Sequence, residues 1–231
     1  QQIRKVEQTQ KEACIQAGEA IANCVQKGGA VHVFDTGHII DSELIYRGGG
    51  LLLLKQFKYN LVVDNPVRVR DRSAIPQDMT GLAAYAIRKS GALPGDVMIL
   101  GSVSGKNENV VDLAIEAKKF GMTVVAVTSV EYSSAVESKH SSGKRLFECA
   151  DIVLDNCTPA AEAMMEIEGL NVRFAAASGL SAAVLMWSVC AHAVDKLLEM
   201  GIVPSILKSE NFEDGVEFNM HMKEIYAQTG H

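Results

Sequence analysis

The stretch Val97-Met98-Ile99-Leu100-Gly101-Ser102-Val103-Ser104-Gly105-Lys106-Asn107-Glu108-Asn109-Val110 decides how the rest of the chain is read. Val97 to Leu100 have the composition of a strand buried on both faces. From Val110 onward Val111, Leu113, Ala114, Ile115 and Ala117 fall at helical spacing, up to Phe120-Gly121, where the glycine can cap the helix. Between strand and helix lies a polar Gly/Ser turn. Such a turn directs free backbone N–H groups at one spot, backed by the positive end of the helix dipole, and so makes an anion site. The hydroxyls of Ser102 and Ser104 and the amide of Asn107 add donors, which makes phosphate the natural occupant. A plain strand–turn–helix connection capped by Ser and Asn is the bland alternative.

Two nucleotide loops are excluded. A Walker loop requires G-x-x-x-x-G-K-[ST], but Gly101 and Gly105 are one residue too close and Asn107 follows Lys106. No G-x-G-x-x-G follows a strand, and no acidic residue closes a following strand as a ribose ligand would.

The 231 residues suffice for one sizeable core, and no long Pro/Ser/Gly linker divides them. The organisation expected is a single domain over 1–231, with an N-terminal helix at about 3–26 and a C-terminal helical tail at about 206–231. A 48% apolar and 22% charged composition is that of an ordinary globular protein. Net charge of −6 and no long Lys/Arg run argue against general nucleic-acid binding. The apolar runs are too short to span a bilayer and the N-terminus has no signal-peptide core, so a cytoplasmic protein without membrane contact is expected. Cys14, Cys24, Cys149, Cys157 and Cys190 form no CxxC pair or Cys/His cluster. They read as buried free thiols.

Further strands are expected at Ala30–Phe34, Thr123–Val127, Ile152–Leu154 and Val172–Ala176, with short apolar segments at Leu51–Leu54 and Leu61–Val63. Helices are expected near Ile39–Arg47, from about Gln77 to Ser90, at Lys144–Ala150, at Leu180–Met200 and around Val216–Tyr226. Strands alternating with helices predict a parallel sheet covered on both faces, with ligands at the carboxyl ends of its strands. Three strands end in small polar groups: Thr36-Gly37-His38, Ser102-Val103-Ser104-Gly105 and Thr128-Ser129.

Together these segments resemble the SIS (sugar isomerase) domain family. The stretch Asp96–Gly105 is similar to its S-x-S-G phosphate loop, Ala117–Thr128 to its helix-to-strand continuation, and Cys149-Ala150-Asp151-Ile152-Val153-Leu154 to the following A-D-x-x-[LI] strand. Thr36-Gly37-His38, with Glu43 and Arg47-Gly48-Gly49, resembles an uncharacterised bacterial branch of that family, as does Ser138–Leu146. The resemblance implies a phosphosugar-binding, flavodoxin-like three-layer α/β sandwich on a central parallel five-stranded sheet. It also implies a homodimer or homotetramer with sites shared between subunits. Asn107 stands where the family often has Thr, and Asn109 where it often has Glu.

Aldose–ketose isomerisation moves a proton between the carbons flanking a carbonyl, so it needs a carboxylate base and a ring-opening acid/base. With this resemblance, Glu43 is the candidate base and His38 or His192 the assistant. The bland readings are an i,i+4 surface pair of Glu43 with Arg47 and a core His192 held by Asp195. Gly37, Ser102, Ser104, Gly105, Asn107, Thr128, Ser129 and His140 are the candidate phosphate and sugar contacts. The bland reading of His140 is a solvated Lys/Arg-rich loop in which Ser142 caps the next helix. No metal-ligand spacing occurs, and the chemistry calls for no cofactor. The expected function is binding, and isomerisation, of a sugar phosphate. The alternatives are a non-catalytic sugar-phosphate sensor and an amino-sugar-phosphate lyase or etherase. Neither reading involves DNA, since no helix-turn-helix accompanies the N-terminal helix.

Overall fold

The computed structural model describes residues 1–37, 40–75 and 79–231. A five-stranded parallel sheet runs in the order β2-β1-β3-β4-β5. Its strands are β1 (Val31–Asp35), β2 (Leu54–Gln56), β3 (Val97–Gly101), β4 (Thr123–Thr128) and β5 (Ile152–Asp155). The period-2 alternation of strand side chains divides these residues between two cores. Val31, Val33, Val97, Ile99, Val125 and Val127 point to one face and pack with α1 (Gln2–Gln26) and α7 (Ser178–Glu199). Phe34, Met98, Leu100, Val124 and Ala126 point to the other, covered by α3 (Leu82–Lys89), α4 (Glu108–Phe120) and α6 (Leu146–Cys149). The result is the expected three-layer α/β arrangement with apolar β3 at its centre.

Pairing registers align the carboxyl ends of the strands. Asp35 pairs with Gly101, Gly101 with Val127, and Thr128 with Asp155. The carboxyl ends of these strands therefore share one edge of the sheet. The fifth strand of the sheet is β2, not Val172–Ala176. Phe174–Ala176 (β7) instead pairs antiparallel with Ala163–Met165 (β6) in a separate two-stranded ribbon. Leu61–Val63 forms no strand: its three side chains are exposed, so a run of apolar residues there reflects no sheet position.

Several element bounds differ from the sequence reading. The helix after β1, α2, covers only Ile40–Leu44, because Tyr46 adopts a positive φ and Gly48-Gly49-Gly50 follow. The helix expected from Gln77 starts at Leu82, and Pro76, Gln77 and Asp78 lie outside the described residues. Val130–Ser134 forms a short helix (α5), which Ser129 caps by accepting from the Tyr132 amide at 2.9 Å. Helix α6 starts after Arg145, not Ser142: Arg145 and Glu148 make its capping pair.

Helices α1 and α7 lie side by side on the first face. Their close approach rests on Gly18, where a Cβ would stand 2.9 Å from the Cβ of His192. Helix α7 is by length and composition apolar enough to cross a membrane, more so than the apolar runs in the sequence suggest. Leu185, Met186, Val189, Ala193 and Leu197 are buried against α1 and the sheet. All five cysteines are free and buried, as expected. The tail pairs back on the chain: Leu52 N donates to Ser205 O at 3.0 Å and Leu207 N to Gly50 O at 2.9 Å. Helix α8 (Gly215–Thr229) follows and meets the edge strand where Lys55 Nζ sits 3.6 Å above the Tyr226 ring.

Candidate phosphosugar site

The turn after β3 is braced through its carbonyls. Val103 O accepts from Ser129 N and from Thr128 Oγ1, both at 3.0 Å. Gly105 O accepts from Leu146 N at 2.8 Å, and Lys106 O from Lys139 N at 2.9 Å. The amides of residues 103–109 meet no acceptor among the described residues. The turn's carbonyls are thus paired while its amides are left without an internal acceptor at the N-terminus of α4, an arrangement that can bind anions. Asn107 occupies the N-cap with extended dihedrals and makes no side-chain capping bond. The side chains of Ser102, Ser104 and Asn107 make no hydrogen bond among the described residues; Ser102 is buried, Ser104 half-buried and Asn107 exposed. Gly105 has φ +55°, and a Cβ there would meet Leu146 Cβ and Ser133 Oγ at 3.1 Å. Only glycine fits this position.

The row of amides opens beside a cleft of about 800 Å³. Asn107, Glu108 and Asn109 line one wall, Tyr59, Asn60 and Leu61 another, and Lys139 closes the rim. Phe34, from the end of β1, stacks on Tyr59 with ring centroids 5.8 Å apart. Burial and the nearby Asp112 carboxylate push the Tyr59 phenol up to about 12, so it stays a neutral donor at physiological pH. The Glu108 carboxylate sits in the first turn of α4, where it opposes a bound anion, and Lys106 and Lys139 flank the same loop.

His140 is buried, contrary to its bland reading as part of a solvated loop. Its Nδ1 lies 2.8 Å from Ser142 Oγ and its Nε2 faces Asp112 of α4. Asp112 Oδ2 accepts the Gly81 amide at 3.0 Å. His140 therefore stands behind the cleft and holds the loop that carries Lys139.

A family model described as the SIS domain matches residues 1–129, the span from α1 through the β3–α4 turn to the end of β4. The chain belongs to this family. A UPF0309 protein of Streptomyces coelicolor is 33% identical over 228 residues, covering 98% of this chain and 91% of that protein. A UPF0309 protein of Shouchella clausii is 30% identical over 231 residues, covering 99% and 94%. Among solved structures, a phosphoheptose isomerase from Francisella tularensis superposes with a TM-score of 0.51 at 18% identity, covering 84% of this chain and 91% of that one. One from Neisseria gonorrhoeae does so with 0.51 at 17%, covering 83% and 90%. At that identity the likeness is one of fold.

The remaining expected residues occupy three places in the SIS fold. Thr128 and Ser129 stand beside the loop, but their side chains are buried and committed inward: Thr128 Oγ1 to Val103 O, and Ser129 Oγ to Thr158 O at 2.6 Å. They brace the turn. Gly37 is exposed at the end of β1 with φ +104°, and His38 lies outside the described residues. Glu43, on α2, is ion-paired with Arg47, the surface pair its spacing allows. His192 lines a separate groove between α1 and α7 with Val6, Cys14 and Ser188. Its Nε2 is buried with no partner, and among the described residues no hydrogen bond or ion pair joins His192 to Asp195.

Phe34, Tyr59, Asp112 and Lys139 escaped the sequence reading as site residues. Tyr59 and Lys139 lie in the polar loops between elements, where a ligand wall is to be sought. Phe34 and Asp112 carried no such signal.

Proposed function

We propose that this SIS chain binds a phosphorylated sugar, with the phosphate on the amides and hydroxyls of residues 102–109 and the sugar in the adjoining cleft. The observation that carries this reading is the row of unpaired amides at the N-terminus of α4, opening on that cleft. Gly37, Ser102, Ser104, Gly105 and Asn107 form the phosphate side, Thr128 and Ser129 brace it from behind, and His140 keeps Lys139 at the rim.

In the same reading the sugar is isomerised between aldose and ketose forms, with Glu43 as base and His38 as its assistant. His192, on the other layer of its own chain, serves ring opening only across a subunit boundary. That fits the homodimer or homotetramer with shared sites that the family resemblance implies. A second reading, a sugar-phosphate sensor without turnover, is favoured by one observation: Arg47 already occupies the Glu43 carboxylate.

A thermal-shift screen against sugar phosphates and the matching free sugars tests the binding. A ligand of the native state raises the melting temperature by mass action. Stabilisation by a phosphosugar but not by its free sugar is expected; no shift across the panel would refute the site. Turnover of the stabilising compound then separates isomerase from sensor.

A further inference from the structure

We propose that residues 61–72 of one copy dock on the start of α8 of a second copy, and that this exchange is reciprocal. The inference rests on the homo-oligomer of the preceding reading and names the surface that makes it. Between β2 and α3 the chain runs from Asn60 to Ile75 with no helix and no paired strand, every residue exposed. Leu61, Val62, Val63, Val67 and Val69 are between 55% and 96% exposed. So many unpartnered aliphatic side chains in one segment mark a contact surface. In the sequence Val67-Arg68-Val69-Arg70-Asp71-Arg72 the cations alternate with aliphatic residues. Extended, such a segment carries valines on one side and arginines on the other. Asp71 is the one acid among these six, and its carboxylate accepts the Ser73 amide at 2.9 Å. The described residues pair no arginine of this arm with an acid.

The complementary surface is on the same molecule. Phe212, Val216 and Met220 follow one another at intervals of four and are 57% to 72% exposed. Val216 and Met220 lie one turn apart on one face of α8, and Phe212 stands in the turn that leads into it. Glu210, Glu213, Asp214 and Glu217 are exposed in the same segment, and the cation that precedes it, Lys208, donates its Nζ to Glu213 O at 2.8 Å. This acidic, partly apolar segment fits an arm whose valines alternate with three arginines, which outnumber its two acids, Asp64 and Asp71. The exposed β6–β7 ribbon fits less well, because its Glu166 is already bonded to Arg173. Two such contacts related by a twofold axis close a dimer, with each copy giving an arm and receiving one. The arm starts at Tyr59–Leu61, which wall the cleft, so docking fixes that wall in place.

The test uses two charge-reversed chains, R68E/R70E/R72E and E210K/E213K/E217K, each checked for a wild-type circular-dichroism spectrum. By native mass spectrometry and sedimentation the wild type is expected to be dimeric and each variant alone at least tenfold weaker in association. An equimolar mixture should recover the dimer as the heterodimer alone, since both of its contacts then join opposite charges. Docking within one chain gives no rescue on mixing. A monomeric wild type would overturn both this inference and the oligomer it rests on. A dimeric wild type with unweakened variants, or weakened variants that mixing fails to rescue, would overturn the arm exchange and leave the oligomer standing.

Discussion

Nε2 of His140 stands 3.7 Å from Oδ1 of Asp112, and each side chain is 5% exposed. The pair ties the loop before α6 to the first turns of α4, the helix whose N-terminus faces the proposed phosphate. Asp112 also takes the Gly81 amide. Asp112→Ala would leave that amide without its acceptor and remove the carboxylate that faces the imidazole. A loss of about 1–3 kcal/mol is expected, the cost of stranding a buried polar group, read from urea unfolding. An unchanged midpoint would show that the pair holds nothing.

Replacing Ser102 and Ser104 together by alanine removes two donors from the turn but none of its bracing bonds, which run through carbonyls. The variant should keep its melting temperature without ligand and lose the increment a sugar phosphate gives. Retained stabilisation by the phosphosugar would place the phosphate elsewhere.

Glu43→Gln keeps the shape of α2 and releases Arg47. In the isomerase reading it should still be stabilised by the sugar phosphate while turnover falls at least a hundredfold, within the usual span of about 10²–10⁴ for a general base. Undiminished turnover would remove Glu43 from the chemistry.

Much of this architecture was legible in the sequence because β3, β4 and β5 are short β-branched or aliphatic runs between helices, a pattern that few folds but a covered parallel sheet satisfy. The edge was not legible. Leu54–Gln56 holds a strand position through pairing with Val31–Val33, while Leu61–Val63, more apolar, holds none. The Gly/Ser turn after β3 was readable because it lies in consecutive residues. The cleft walls come from segments up to 105 residues apart in sequence, Phe34 to Lys139, and only folding brings them together. His140 looked solvated among its charged neighbours because its partner, Asp112, is 28 residues earlier.

Alkaline stability should show the buried thiols. Burial pushes Cys190 up to about 12, and burial with the Asp96 carboxylate pushes Cys24 up to about 11, from an ordinary value of 9.0. In the unfolded chain these thiols lose their protons first, so the folded state binds more protons above pH 9. Stability is therefore full below about pH 9 and declines as pH rises toward the folded values. Urea unfolding followed from pH 8 to pH 11 should show this decline, and it should be shallower in C24A/C190A. Equal slopes for the two proteins would assign the decline to other groups.

The bracing of the β3–α4 turn carries a further consequence. Its acceptors Gly105 O and Lys106 O are satisfied by the amides of Leu146 and Lys139, neither of which needs to touch a phosphate to do so. If the turn seats a phosphate as proposed, the ordering cost of that seat is met during folding, before any ligand arrives. Affinity can then be tuned from a distance: a substitution in 138–146 that slackens those two bonds would raise the entropy of the empty seat and weaken binding with every ligand atom still contacting the same groups.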